Sequence, residues 1–151
     1  MVKVHVYAGS IRLVDRSGVG RAIDHQKEIL RNEGIMVDYV SFKEADIVHI
    51  NTIFPDSVIA AIKARIMGKK VVYYGHSTME DFRNSFKCSN LFAPLFRRWI
   101  TFCYNLGSIV ITPSEYSKML IESYGVKAPV YAISNGIDLD FWKPDEVGRN
   151  T

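Results

Sequence analysis

Short runs of β-branched and aromatic residues recur through this 151-residue chain with helix-spaced segments between them, and that alternation constrains the fold more than any other feature. The runs are Val2 to Tyr7, Met36 to Val40, Ile47 to Ile50, Val71 to Tyr74, Ile109 to Thr112 and Val130 to Ile133, each bounded by Gly, Pro, Ser or charge. They predict six strands. Ala22, Ile23, Gln26, Ile29, Leu30 and Glu33 keep helical spacing and are read as putting Ile23, Ile29 and Leu30 on one face, with Ser17 as N-cap and Gly34 as stop. Further helices are expected over Pro55 to Met67, Asn90 to Leu106 and Glu115 to Tyr124, the last capped by Ser114. Strands alternating with helices predict an α/β fold: a Rossmann-like parallel sheet of about six strands, wound by right-handed crossovers with helices on both faces. The chain shows no internal repeat and no low-complexity segment.

The totals narrow the function classes. A hydrophobic content of 48% suffices for one core. The net charge of +3 and pI near 8.8 fall short of the basic stripe that phosphate contacts require, which disfavours a general nucleic-acid binder. Met1 leads straight into an apolar alternating run, so neither a signal peptide nor a bilayer-spanning stretch is expected. Cys88 and Cys103 lie far apart and give neither a zinc site nor a disulfide framework, and a cytosolic, reducing compartment fits. After the last run, Ser134-Asn135-Gly136-Ile137-Asp138 and then Phe141-Trp142-Lys143-Pro144 read as a turn and a linker. Residues 1–140 are therefore expected to form one domain and 141–151 a linker to a further, C-terminal one.

In open parallel sheets, ligands bind beyond the carboxyl ends of the strands. The loop after the first run carries Arg12, Arg16, Ser17, Gly18, Val19, Gly20 and Arg21 and opens the first helix. Glycines there allow close approach of backbone to a ligand, and the free amides of the helix start favour a phosphate; the alternative is a glycine-rich helix entry without a ligand. A dinucleotide fingerprint fits poorly, since its third glycine would fall on Ile23, and a Walker pattern is absent. His76 follows the fourth run in Gly75-His76-Ser77-Thr78, where an imidazole could hydrogen-bond a sugar hydroxyl or be merely structural. His49 and His5 read as packed or bonded in the core, and His25 as exposed on a helix. Glu80 and Asp81 read as a solvated pair pointing apart. Asn135-Gly136 is in the first place a turn signal.

From Phe82 to Ser114 no acidic residue occurs, while Arg83, Lys87, Arg97 and Arg98 are interleaved with Phe82, Phe86, Phe92, Phe96, Trp99, Phe102 and Tyr104. That mixture suits the face of an anionic membrane. For Trp99 and Phe102 the core reading is favoured, because both faces of a wound sheet need cover. For Phe92 and Phe96, flanking a helix-starting Pro94, the membrane or an apolar acceptor is favoured.

Ser17-Gly18-Val19-Gly20-Arg21, Asp46-Ile47-Val48-His49, Gly75-His76-Ser77, Val110-Ile111-Thr112-Pro113-Ser114-Glu115 and Ile133 to Asp138, with Phe141 and Pro144, together resemble the N-terminal domain of the GT-B retaining glycosyltransferases of the family 4, or group 1, type. The resemblance implies that backbone at Gly18, with Ser17 and Gly20, approaches the diphosphate of a nucleotide-sugar such as a UDP-sugar. It implies that His76 contacts the transferred sugar or the acceptor as the catalytic residue, and that Asn135 lies near an interdomain cleft. No metal and no separate cofactor is implied. Ser17 stands where the family often has a first glycine, Gly20 is added, and Asn51 replaces a frequent second histidine. Within the family, Gly75 to Phe86 followed by the aromatic and basic helix looks most like bacterial enzymes that glycosylate diacylglycerol. The expected function is thus the acceptor-side half of a hexosyltransferase acting on a lipid or glycan, cytoplasmic and at the inner face of the membrane, and inactive without its nucleotide-sugar domain. The alternatives are half of a nucleotide-sugar epimerase and a non-catalytic binding module.

Overall fold

The computed structural model describes residues 1–9, 18–83 and 89–134. Five parallel strands, β1 (Val4–Tyr7), β2 (Ile47–Ile50), β3 (Lys70–Tyr74), β4 (Ile109–Thr112) and β5 (Val130–Ala132), lie side by side in chain order. Between them run α1 (Gly18–Asn32), α2 (Pro55–Ile66), α3 (Met79–Phe82), α4 (Ser89–Asn105) and α5 (Glu115–Ser123). The expected sixth strand, Met36 to Val40, shrinks to one parallel bridge between Lys3 and Met36. Asp38 turns onto Arg31 in a two-pronged ion pair with a shortest contact of 2.5 Å, and Tyr39 adopts φ 56°, so the chain leaves the extended region just after Met36.

That single bridge sets the topology. Val4 N donates to the Met36 carbonyl at 2.8 Å, whereas the Lys3 carbonyl, which points the opposite way, accepts from Asp46 N and Ile47 N. Met36 and β2 therefore flank β1 on opposite sides. The chain steps one way through α1 and the other way through every later crossover, so the direction reverses between β1 and β2. With right-handed crossovers, α1 covers one face and α2, α4 and α5 the other.

The second face is sealed. Val48, Ile50, Val71, Tyr73, Val110 and Val130 of the strands close on Ala61, Ala64, Ile100, Cys103, Tyr104 and Ile121 of the helices, nearly all without solvent contact. Each large apolar side chain so buried stabilises by about 1.5–3 kcal/mol. On the first face, α1 buries Ala22 and Ile23. Ile29 does not join them and is 49% exposed, because six residues at 100° each leave it well round the helix from Ile23, while Leu30 returns to the same side and is half-buried.

Helix ends follow local chemistry. α1 stops where Gly34 takes φ 72° and the Gly34 and Ile35 amides bond back to Arg31 and Leu30 at 2.9 Å each. α2 opens with Pro55 at its first position and Asp56 beside it, and closes with Lys63 and Arg65, charges that suit the helix dipole. Ser114 caps α5 by accepting from Ser117 N at 3.1 Å. Pro94 does not start α4 as expected; the helix begins at Ser89 and Pro94 lies inside it.

Candidate functional site

The reversal between β1 and β2 opens a crevice at the carboxyl ends of those strands, the usual ligand position in such sheets. On one side, the Tyr7 hydroxyl bonds Asp56 in the first turn of α2; burial first, then the Asp56 charge and hydrogen bond, raise the pKa of the phenol. Gly9 lies hard against the same turn, with φ 30°. A Cβ there would meet Ser57 Oγ at 2.6 Å and Asp56 Oδ2 at 2.8 Å, so only glycine lets the loop approach.

The other side is built by β2 and β3. His49 pairs in register with Val72, so His49, Asn51, Tyr74 and His76 all fall on one face of adjacent strands and their extensions. The Tyr74 ring stacks on His76, centroids 4.2 Å apart, and lies 5.9 Å from His49. His49 and Asn51 are buried, at 7% and 2% exposure, and His76 is half-buried. Burial pushes both imidazoles down to about 4, helped at His49 by the nearness of His76. Both are then neutral near pH 7, each with one nitrogen to donate and one to accept.

Their hydrogen bonding is incomplete. His49 Nε2, His76 Nε2 and both amide atoms of Asn51 are buried with no partner among the described residues, as are both amide atoms of Gln26 in α1. Each such group costs about 1–3 kcal/mol unless something polar reaches it. Neighbouring orphans at a crevice are the pattern that a hydroxyl-rich ligand satisfies.

The turn that presents His76 is held from behind. Gly75 N donates to the Ile111 carbonyl at 2.7 Å, Thr112 Oγ1 donates to the Gly75 carbonyl at 3.2 Å, and His76 N bonds back to the Tyr74 carbonyl at 3.1 Å. A Cβ on Gly75 would meet Ile121 Cδ1 at 2.8 Å, so α5 packs against this turn at glycine distance.

His76 thus lies at a strand's carboxyl end, following β3. Gly18 opens α1 and Gly20 is buried in its first turn, while Ser17 and Asn135 fall outside the described residues. His49 is buried as expected, but its Nε2 has no partner among the described residues, which adds it to the candidate site where the sequence alone points to a packed core histidine. The available signal was spacing: His49 and Asn51 alternate on one face at a strand end. His5 behaves as expected, its Nδ1 lying 2.7 Å from the Val40 carbonyl, and His25 is half-buried rather than exposed. Glu80 and Asp81 do diverge, but not into solvent alone. Asp81 completes a capping box with Thr78, and Glu80 accepts the Tyr124 hydroxyl.

The aromatic helix departs from expectation at Trp99 and Phe102, while Phe96 packs partly against the core and Phe92 is exposed. Trp99 and Phe102 are not core residues; they are 36% and 49% exposed, and Trp99 Nε1 donates to the Ile53 carbonyl at 2.9 Å. Phe96 stacks on Phe82 at 4.2 Å. These rings, with Phe92 and Leu95, line an open apolar groove of about 550 Å³. Beside it, Arg83, Arg97 and Arg98 border a second groove of about 610 Å³, and Arg98 and Phe102 belong to both. Among the described residues, no helix is long and apolar enough to cross a membrane. Cys103 is buried and its thiol is pushed up to about 12, which keeps it protonated and inert.

Known proteins agree with this architecture. A processive diacylglycerol alpha-glucosyltransferase of Acholeplasma laidlawii is 39% identical over 145 residues, which cover 94% of this chain and 42% of that protein. The chain thus spans less than half the length of that relative. Anabaena HepE, solved in complex with UDP and glucose, matches 97% of this chain and 47% of its own with a TM-score of 0.61 at 18% identity, a likeness of fold. The model of glycosyltransferase family 4 matches residues 16–141, and the chain belongs to that family.

Proposed function

We propose that this chain is the acceptor-side half of a retaining hexosyltransferase, which moves a sugar from a nucleotide-sugar to diacylglycerol or a related lipid together with a C-terminal domain that holds the nucleotide. The observation that carries the reading is the group of buried, neutral and unsatisfied side chains at the crevice: His49, Asn51 and His76. Sugar hydroxyls supply both donors and acceptors, which is what two neutral imidazoles and an amide lack. The Acholeplasma relative is named for glucose transfer to diacylglycerol, and HepE was crystallised with UDP and glucose, which supports a UDP-sugar donor.

In the proposed reaction the acceptor hydroxyl attacks the anomeric carbon on the face from which the nucleotide diphosphate leaves. The bond to the diphosphate breaks, and the departing phosphate oxygen takes the acceptor's proton. No protein nucleophile is needed. The role of His76 is to align sugar and acceptor, with the backbone at Ser17, Gly18 and Gly20 approaching the diphosphate and Asn135 near the cleft. Orientation and fixed dipoles are effects worth several kcal/mol in a site that excludes water.

The lipid side of the reading rests on α4. Phe92, Leu95, Trp99 and Phe102 are exposed beside Arg83, Arg97 and Arg98, and Leu91 at the start of the same helix is exposed too. Apolar rings with a cationic rim suit an anionic bilayer surface, here the inner face of the membrane. The test incubates the protein with UDP-glucose and diacylglycerol in mixed micelles. Glucosyl-diacylglycerol is the expected product. Transfer to soluble glycans alone would overturn the lipid reading, and transfer from no nucleotide-sugar to any acceptor would overturn the enzyme. Flotation with vesicles checks the surface: binding that requires anionic lipid and fades with salt is expected, and equal flotation with neutral vesicles removes the electrostatic part.

A further inference from the structure

Three features of the site meet on Tyr74. It ends β3 and is 3% exposed. Its ring lies over His76 at 4.2 Å with an interplanar angle of 29°, and His49 is the next ring on the same face at 5.9 Å. Its hydroxyl donates to the Ile133 carbonyl at 3.3 Å, across the sheet and just past β5. Ile133 is itself fixed, its N–H bonding the Thr112 carbonyl at 2.8 Å. The preceding residue shows what the other face would have offered: Tyr73 is fully buried in the apolar core, edge-on to Tyr104 at 5.6 Å.

We infer that Tyr74 is a positioning residue, whose ring holds the His76 imidazole in place while its hydroxyl ties that imidazole to the end of β5, where the sequence runs on to Asn135. The inference rests on the proposed role of His76. An imidazole stacked on one side and buried has few orientations left, so the nitrogen it presents to a sugar is set before the sugar arrives. Tyr74 then couples His76 to the exit of β5, where Ile133 lies 59 residues beyond Tyr74 itself, through one side chain.

Two substitutions separate the ring from the hydroxyl. Tyr74→Phe keeps the stack and loses the tie, whereas Tyr74→Leu loses both. Nitrogen-15 NMR of histidine-labelled protein follows the His76 titration directly, and kinetics with UDP-glucose and diacylglycerol give kcat and KM. Tyr74→Leu should raise the His76 midpoint by about one pH unit, as water reaches the ring, and lower kcat about thirtyfold with KM for the donor nearly constant. Tyr74→Phe should leave the midpoint in place and lower kcat about threefold. The inference is overturned if Tyr74→Leu leaves the His76 titration and tautomer unchanged, or if Tyr74→Phe disturbs them as much as Tyr74→Leu does. Should the protein transfer no sugar, the reading of its function fails while the NMR arm still decides the placement of the ring.

Discussion

Two neighbouring regions of this molecule bury polar side chains to the same depth and treat them in opposite ways. At the junction of α3, α4 and α5, the buried polar groups are mostly partnered, Ser89 Oγ being an exception among the described residues. Thr78, 4% exposed, exchanges hydrogen bonds with Asp81; Tyr104 Oη donates to the Ser77 carbonyl at 2.7 Å; and the Tyr124 hydroxyl accepts from Met79 N and donates to Glu80. At the crevice, Asn51 is 2% exposed, and neither of its amide atoms is bonded among the described residues. Burial alone does not tell structural polar groups from functional ones. A group of unpartnered side chains gathered at a crevice, as opposed to single ones such as Tyr73 Oη and Ser89 Oγ in the packed interior, is the pattern that a ligand completes.

The largest effect expected from this contrast is on stability against pH. Unfolded histidine takes up its proton near 6.5, whereas His49 and His76 in the folded protein resist until about 4. The unfolded chain therefore binds more protons between those values, and stability should be lost as pH falls from about 6.5 towards 4. For His49 the loss is on the order of 3 kcal/mol at about 1.4 kcal/mol per unit. Asp38 and Glu44, whose pKa values are lowered by hydrogen bonds from Arg31 and Ser41, act only below the ordinary carboxylate range, so the upper part of the window belongs to the imidazoles. Urea midpoints measured from pH 7 to 4.5 check this, and a flat profile would mean that the imidazoles are solvated.

Next in size is His76→Ala. Loss of one oriented hydrogen bond in a site shielded from water should reduce turnover about a hundredfold, about 2.7 kcal/mol in the barrier. The melting temperature should barely change. Full activity, or activity lost only through unfolding, would make the imidazole structural.

Third in size, a pair of substitutions should move in opposite directions. Asn51→Leu removes an unsatisfied amide and is expected to stabilise the free protein by about 1 kcal/mol while lowering activity about tenfold. Thr78→Ala removes a satisfied cap and should cost about 1 kcal/mol while leaving activity alone. A destabilised Asn51→Leu protein would erase the distinction between the two regions. The smallest effect belongs to His25→Ala on α1, which should stay within about 0.5 kcal/mol in stability and unchanged in turnover.

How much of this was legible in the sequence depended on how local the cause was. Five of the six expected strands form, because alternating β-branched runs and their flanking turns specify extended chain by themselves. Met36 to Val40 keeps only the bridge at Met36, because Tyr39 takes φ 56° and ends the extended run, a backbone turn that the residue types do not announce. His76 was legible because its loop position follows from the strand before it. His49 was not, since whether a strand histidine finds a partner depends on residues brought up from other strands. The exposure of Ile59, Ile62 and Ile66 was equally hidden: α2 is apolar most of the way round, and only the packed sheet decides which side faces out.

The neutrality of the two imidazoles has a consequence for charge balance. A nucleotide-sugar brings a diphosphate, and neither His49 nor His76 supplies a positive charge to meet it near neutral pH. Asp56, bonded to Tyr7 at the same crevice, adds a negative one. Under the proposed function, the counter-charge for the departing nucleotide must then come from outside β2 and β3, from Arg21 in the first turn of α1, from helix-start amides or from a second domain. In the proposed reaction such a division would leave the carboxyl ends of β2 and β3 free to read hydroxyl geometry without competing for phosphate.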